Sequence, residues 1–144
     1  MTIEQRIKSL VNLGRFLGQF KRSGIVENKT LPGNEPFFNI FREKIEAAVH
    51  HNGWFNLENV LFSLEQWSNA LTPENLQKWL SEYDFGKVEP KTVGVIMAGN
   101  IPLVGFHDFI SVLVSGHKVL VKQSSNDKLL LPVIADYLKA RSEE

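Results

Sequence analysis

Two short β-branched runs separated by a segment of helical length constrain this chain more than any other feature. Lys91 to Asn126 reads KTVGVIMAGNIPLVGFHDFISVLVSGHKVLVKQSSN. Thr92, Val93, Val95 and Ile96 make the first run, and Ala98-Gly99-Asn100 forms a turn. A mostly apolar segment leads to Gly116, and Lys118-Val119-Leu120-Val121-Lys122 makes the second run. This pattern predicts a strand-helix-strand unit with a parallel strand pair. Parallel strands require a crossover, and the crossover is right-handed in nearly every case. Ligands of open parallel sheets gather just beyond the carboxyl ends of the strands. Here those ends are Met97 to Pro102 and Lys122 to Asn126.

At 144 residues with 43% hydrophobic content, the chain is long enough for one globular unit with its own core. Sixteen basic and sixteen acidic side chains cancel. No overall field therefore draws the chain onto nucleic acid or an acidic membrane. The absence of cysteine excludes disulfides, thiolate metal sites and a cysteine nucleophile within these residues. No apolar run approaches the roughly 18 residues of a membrane span. The start, MTIEQRIKSL, also lacks the apolar centre of a signal peptide, so a cytoplasmic protein is the default expectation.

The first 86 residues read as helices. Thr2 and Gln5 have capping-box spacing, and Ile3, Ile7, Leu10, Val11, Leu13 and Leu17 recur at helical spacing, predicting a helix from about 2 to 21. Residues 22–36 read as loop. A second helix spans about 35–51, stopped by Asn52-Gly53 because either residue tolerates the left-handed conformation. Asn56 caps a third helix carrying Val60, Leu61, Leu64 and Trp67, and Thr72-Pro73 starts a fourth with Leu76, Trp79, Leu80 and Tyr83. The aromatics Phe37, Phe38, Phe41, Trp54, Phe55, Trp67 and Trp79 fit core packing better than a ligand tunnel, since most stand at helical spacing beside aliphatic residues. Adjacent His50 and His51 point apart on a helix and suit its carboxyl end. No carboxylate and histidine set has metal spacing, so no metal is expected.

Neither G-x-x-x-x-G-K-[ST] nor G-x-G-x-x-G occurs. Ala98 and Gly99 nevertheless leave the backbone uncovered at the first strand's end, and Asn100 adds an amide donor. The plainer alternative is a tight turn with Pro102 as a helix start. Lys122 is followed by Ser124, Ser125, Asn126 and Asp127, which fits a phosphate or ribose seat and equally fits a solvated lysine before a capped helix. That helix is expected from Asp127 to about Arg141.

The segment VGVIMAGNIPLVGFHDFISVLVSGHKVLVKQSSNDKLLLP resembles the start of the cofactor domain of the aldehyde dehydrogenase superfamily. There a strand ends in a P-W-N-F-P-like turn, a helix follows, and a second strand ends in K-P-S-E. The matching stretches here are Ala98-Gly99-Asn100-Ile101-Pro102, Ser115-Gly116-His117 and Val119-Leu120-Val121-Lys122-Gln123-Ser124. AGN-IPL and SGHK-VLVK look more closely like the acyl-CoA reductase branch, the family of the long-chain fatty acyl-CoA reductases of bacterial bioluminescence. The resemblance implies an α/β fold: a helical N-terminal region over 1–86, then over 87–144 the first βαβα unit of a Rossmann-like cofactor domain, incomplete.

By that resemblance Asn100 matches the asparagine whose amide helps form an oxyanion hole for a thioester carbonyl. Met97, Ala98 and Gly99 match positions whose backbone lies along the cofactor. Lys122 and Ser124 match the lysine and serine that hold the adenosine ribose and its 2′-phosphate, implying NADPH, with NAD as the alternative. The implied substrate is a fatty acyl-CoA or acyl-protein thioester. Gly99 in place of a bulky aromatic and Gln123 in place of proline mark a divergent branch. The family's acylated cysteine is absent, so the expectation is an N-terminal fragment, inactive alone, with an exposed sheet edge that associates with itself or with C-terminal segments. A non-catalytic α/β interaction domain is the alternative.

Overall fold

A computed structural model describes residues 1–142. The helical half holds α1 (Ile3–Leu17), α2 (Phe37–His51), α3 (Leu57–Ala70) and α4 (Pro73–Leu80), with a small hairpin of β1 (Phe20–Lys21) and β2 (Gly24–Ile25) between α1 and α2. The second half is β3 (Thr92–Ile96), α5 (Phe106–Val114), β4 (Lys118–Lys122) and α6 (Leu130–Ser142).

The helix starts follow their caps. The Thr2 and Gln5 side chains each accept from the other's backbone N–H, closing the capping box on α1. Asn56 accepts from Asn59 N at 2.7 Å, and Thr72 from Asn75 N with Pro73 in the first turn.

The helix ends differ from expectation in two places. α1 stops at Leu17 rather than about residue 21, and the chain turns into the β1–β2 hairpin, so the first half is not helical throughout. Gln19 explains the departure: buried, it donates to Phe16 O and Asn34 Oδ1 and accepts from Asn28 N. These three bonds replace helical pairing with a tie across the following loop. α2 ends at His51 with Asn52 as its cap, but neither Asn52 nor Gly53 takes a left-handed conformation. Asn52 is extended at φ −122°, and its Oδ1 accepts from Trp54 N.

One contiguous core runs from Leu10 to Tyr137 and is shared by both halves. Phe16 stacks on Tyr137 at 4.5 Å and lies 5.5 Å from Phe20 and from Phe41. The aromatics are therefore packing residues, with Trp54, 83% exposed, the exception. Tyr83 lies beyond the end of α4 and is also exposed.

β3 and β4 pair in parallel, Thr92 opposite Lys118 through Ile96 opposite Lys122, with α5 as the crossover. Val93, Val95, Val119 and Val121 alternate onto the helix side and are half-buried. Ile96 and Leu120 alternate onto the opposite side and are 82% and 67% exposed. α5 begins at Phe106 rather than Pro102, because Leu103 at φ +58° interrupts a helical path. At its other end Gly116 N bonds Leu113 O and His117 N bonds Val112 O, with Gly116 at φ +90°. That double closure is the Schellman motif, and it needs a residue without a Cβ penalty. α6 begins at Leu130 rather than Asp127, since Ser124 and Asp127 close a tight turn first.

Candidate functional site

Two loops leave the carboxyl ends of β3 and β4; Asp127 and Asn52 lock them together, and His51 ties the second to α2. Asp127 Oδ2 accepts from Leu103 N at 2.8 Å, which holds Leu103 in its positive-φ conformation. Asn52, buried at the end of α2, donates through Nδ2 to Asn126 O at 3.0 Å and to Gly99 O at 3.4 Å. His51 Nε2 lies 2.9 Å from Ser125 O. Ser63 on α3 donates to Pro102 O at 2.9 Å, tying the first loop to the helical half.

Gly99 is the point of contact between the loops. A Cβ there would stand 2.6 Å from Ser124 Cβ, closer than real Cβ contacts come, and a tight 3.3 Å from Asn126 Cβ. The bare backbone at Gly99 is thus approached by the chain's own Ser124 side chain. Ser124 Oγ accepts from Asn126 N at 3.2 Å and keeps its hydroxyl proton for another acceptor.

The residues singled out in the sequence fall at this one end of the sheet. Met97 N donates to Lys122 O at 3.0 Å, which extends the ladder one step past the strands and sets the two loops side by side. Ala98 and Asn100 are exposed, Met97, Gly99 and Ser124 half-exposed, and Lys122 exposed. Among the described residues no carboxylate lies within ion-pair reach of Lys122. None of their acceptors takes the backbone N–H of Ala98, Gly99 or Asn100 either. The loop end therefore offers a row of N–H donors, an asparagine amide and a nearby strand-end ammonium, a set suited to an anion or a polarised carbonyl.

Asn52, His51 and Asp127 were not among the site residues legible in the sequence. Asn52 reads as a helix stop, His51 as a residue suited to the helix's carboxyl end and Asp127 as a cap. Only contacts of 24 to 74 positions in sequence separation reveal them as loop ties. Burial pushes the Asp127 carboxyl above its ordinary range, opposed by the bond from Leu103 N.

No protein-family profile, curated protein or solved structure matches this chain.

Proposed function

We propose that the chain is the N-terminal part of an acyl-CoA reductase, which reduces a fatty acyl thioester to an aldehyde through a cysteine acyl-enzyme, the cysteine lying outside these residues. Residues 97–100 and 122–124 form the first half of its NADPH site. The observation that carries the reading is the meeting of the two loops at Gly99 and Ser124, with unpaired N–H groups on one and Lys122 at the root of the other. NADPH would supply hydride to the acyl carbon when bound. Lys122 would hold the 2′-phosphate by charge, and Ser124 would donate its hydroxyl to a ribose or phosphate oxygen. Asn100 would donate its amide to the thioester carbonyl as charge develops there. These donors fit an anionic cofactor.

Calorimetric titration of the chain with NADPH, NADH and 2′-phospho-ADP-ribose tests this. The expected result is tighter binding of the phosphorylated ligands and a loss of about 1.5 to 3 kcal/mol in Lys122→Ala, the range for a hydrogen bond to a charged group. No binding at millimolar ligand would favour the second reading, a non-catalytic interaction domain. That reading draws its support from the apolar sheet face at Ile96 and Leu120.

A further inference from the structure

A groove of about 950 Å³ opens beside β4, between that strand, α5, α6 and α1. Its walls include Val119 and Val121 from the strand, Phe109 and Leu113 from α5, and Leu131 and Leu138 from α6. α6 starts at the carboxyl end of β4, and residues from Leu131 to Ser142 line the groove together with Lys118 to Gln123, so helix and strand border it along their lengths.

The groove has backbone chemistry as well as apolar walls. Lys118 N bonds Lys91 O, and Lys122 O accepts from Met97 N, so the peptide groups of Lys118, Leu120 and Lys122 point toward β3. In a parallel ladder the intervening residues point the other way. Val119 and Val121 therefore direct their N–H and C=O groups to the open edge of β4, which among the described residues pairs with β3 alone. Gln123 lies next on the same side and lines the groove. Its Nε2 is buried and has no hydrogen-bond partner among the described residues. A buried amide donor without an acceptor is unfavourable, and a carbonyl brought to this edge would satisfy it.

The charges select among occupants. Lys118 and Lys122 flank the edge on the exposed face, and Arg6 and Lys139 line the groove, with Asp136 the one acidic side chain of its lining among the described residues. A second copy pairing β4 to β4 in the antiparallel register centred on Leu120 would set Lys118 against Lys122, a like-charge pair.

We propose that this groove is a docking site for an extended polypeptide strand that adds parallel to β4, with apolar residues on its helix-facing side and acidic residues opposite Lys118 and Lys122. Its backbone pairs with Val119 and Val121, and one of its carbonyls accepts from Gln123 Nε2. The added strand lies about 4.8 Å from β4 and continues the parallel sheet under the helix layer. This inference does not depend on nucleotide binding at the loop end.

The probe is a capped, labelled peptide whose central five residues are glutamate, valine, threonine, valine and glutamate. A control carries lysine in place of both glutamates. The 144-residue chain is titrated with each by fluorescence anisotropy, and amide hydrogen exchange is followed. The acidic peptide is expected to bind at least fivefold more tightly than the control, and Lys118→Glu, on the exposed face where it leaves the core untouched, to erase roughly that margin. Val119 and Val121 amides exchange quickly in the chain alone and at least tenfold more slowly with peptide. Equal binding of the two peptides, no binding of either, or binding that leaves those two amides unchanged overturns the proposal. Protection of the same amides by self-association, without peptide, overturns it in favour of a second copy.

Discussion

Asp127 carries the sharpest single-residue expectation. Its carboxyl is raised from the ordinary 3.8 because burial disfavours the charged form. A raised carboxyl binds more protons folded than unfolded, so stability falls as pH rises from about 3.8 through the folded value. Asp127→Asn keeps an acceptor for Leu103 N and removes the buried charge. It should gain on the wild-type chain as pH rises across that window, and equilibrium urea unfolding at several pH values reads it directly. Parallel curves for the two proteins would contradict the assignment. Asp127→Ala should instead cost about 1 to 3 kcal/mol, since Leu103 N loses its partner. Gly99 makes a second residue-scale case. Gly99→Ala should destabilise by about 1 to 3 kcal/mol through overpacking against Ser124, and Ser124→Gly in the same chain should recover most of it. Additive losses in that double-mutant cycle would rule out the contact. Asn100 and Lys122 could be picked out in the sequence because their polar ends follow apolar runs. Asn52 could not, because its role lies in two carbonyls that are 47 and 74 residues away.

At the scale of elements, local chemistry was the legible part. Thr2, Asn56 and Thr72 cap where their spacing indicates, since capping depends on residues three positions apart. The strand-crossover-strand unit is equally local in signature, and the glycine that closes its helix, Gly116, sits at positive φ. Gly116→Val should lose about 1 to 3 kcal/mol, because a β-branched residue is strained at φ +90° and its Cβ would meet the Arg6 guanidinium. An unchanged denaturation midpoint would remove the Schellman assignment. The β1–β2 hairpin and the late start of α6 escaped the sequence reading. One is fixed by a buried glutamine reaching Asn28 and Asn34, the other by a turn closing between Ser124 and Asp127. Neither leaves a periodic trace.

For the whole molecule, the parallel pair is covered on one face only. Parallel sheets normally have helices on both faces, and two strands make a poor sheet by themselves. Ile96 and Leu120 therefore stand exposed on the uncovered side. The chain should self-associate at micromolar to millimolar concentration in sedimentation velocity, and Leu120→Glu should shift it toward monomer without lowering its melting temperature. A monodisperse wild-type monomer would contradict this. That the two halves share a core from Leu10 to Tyr137 was not readable from periodicity, which marks apolar faces without saying which face meets which. In the proposed function, residues 97–100 and 122–124 form a single nucleotide half-site. Amide chemical-shift mapping of the chain with 2′-phospho-ADP-ribose tests it most directly. Saturable shifts are expected at Ala98, Gly99, Asn100 and residues 122–126 alone, and are abolished in Lys122→Ala. Shifts scattered elsewhere, or none at millimolar ligand, would contradict it.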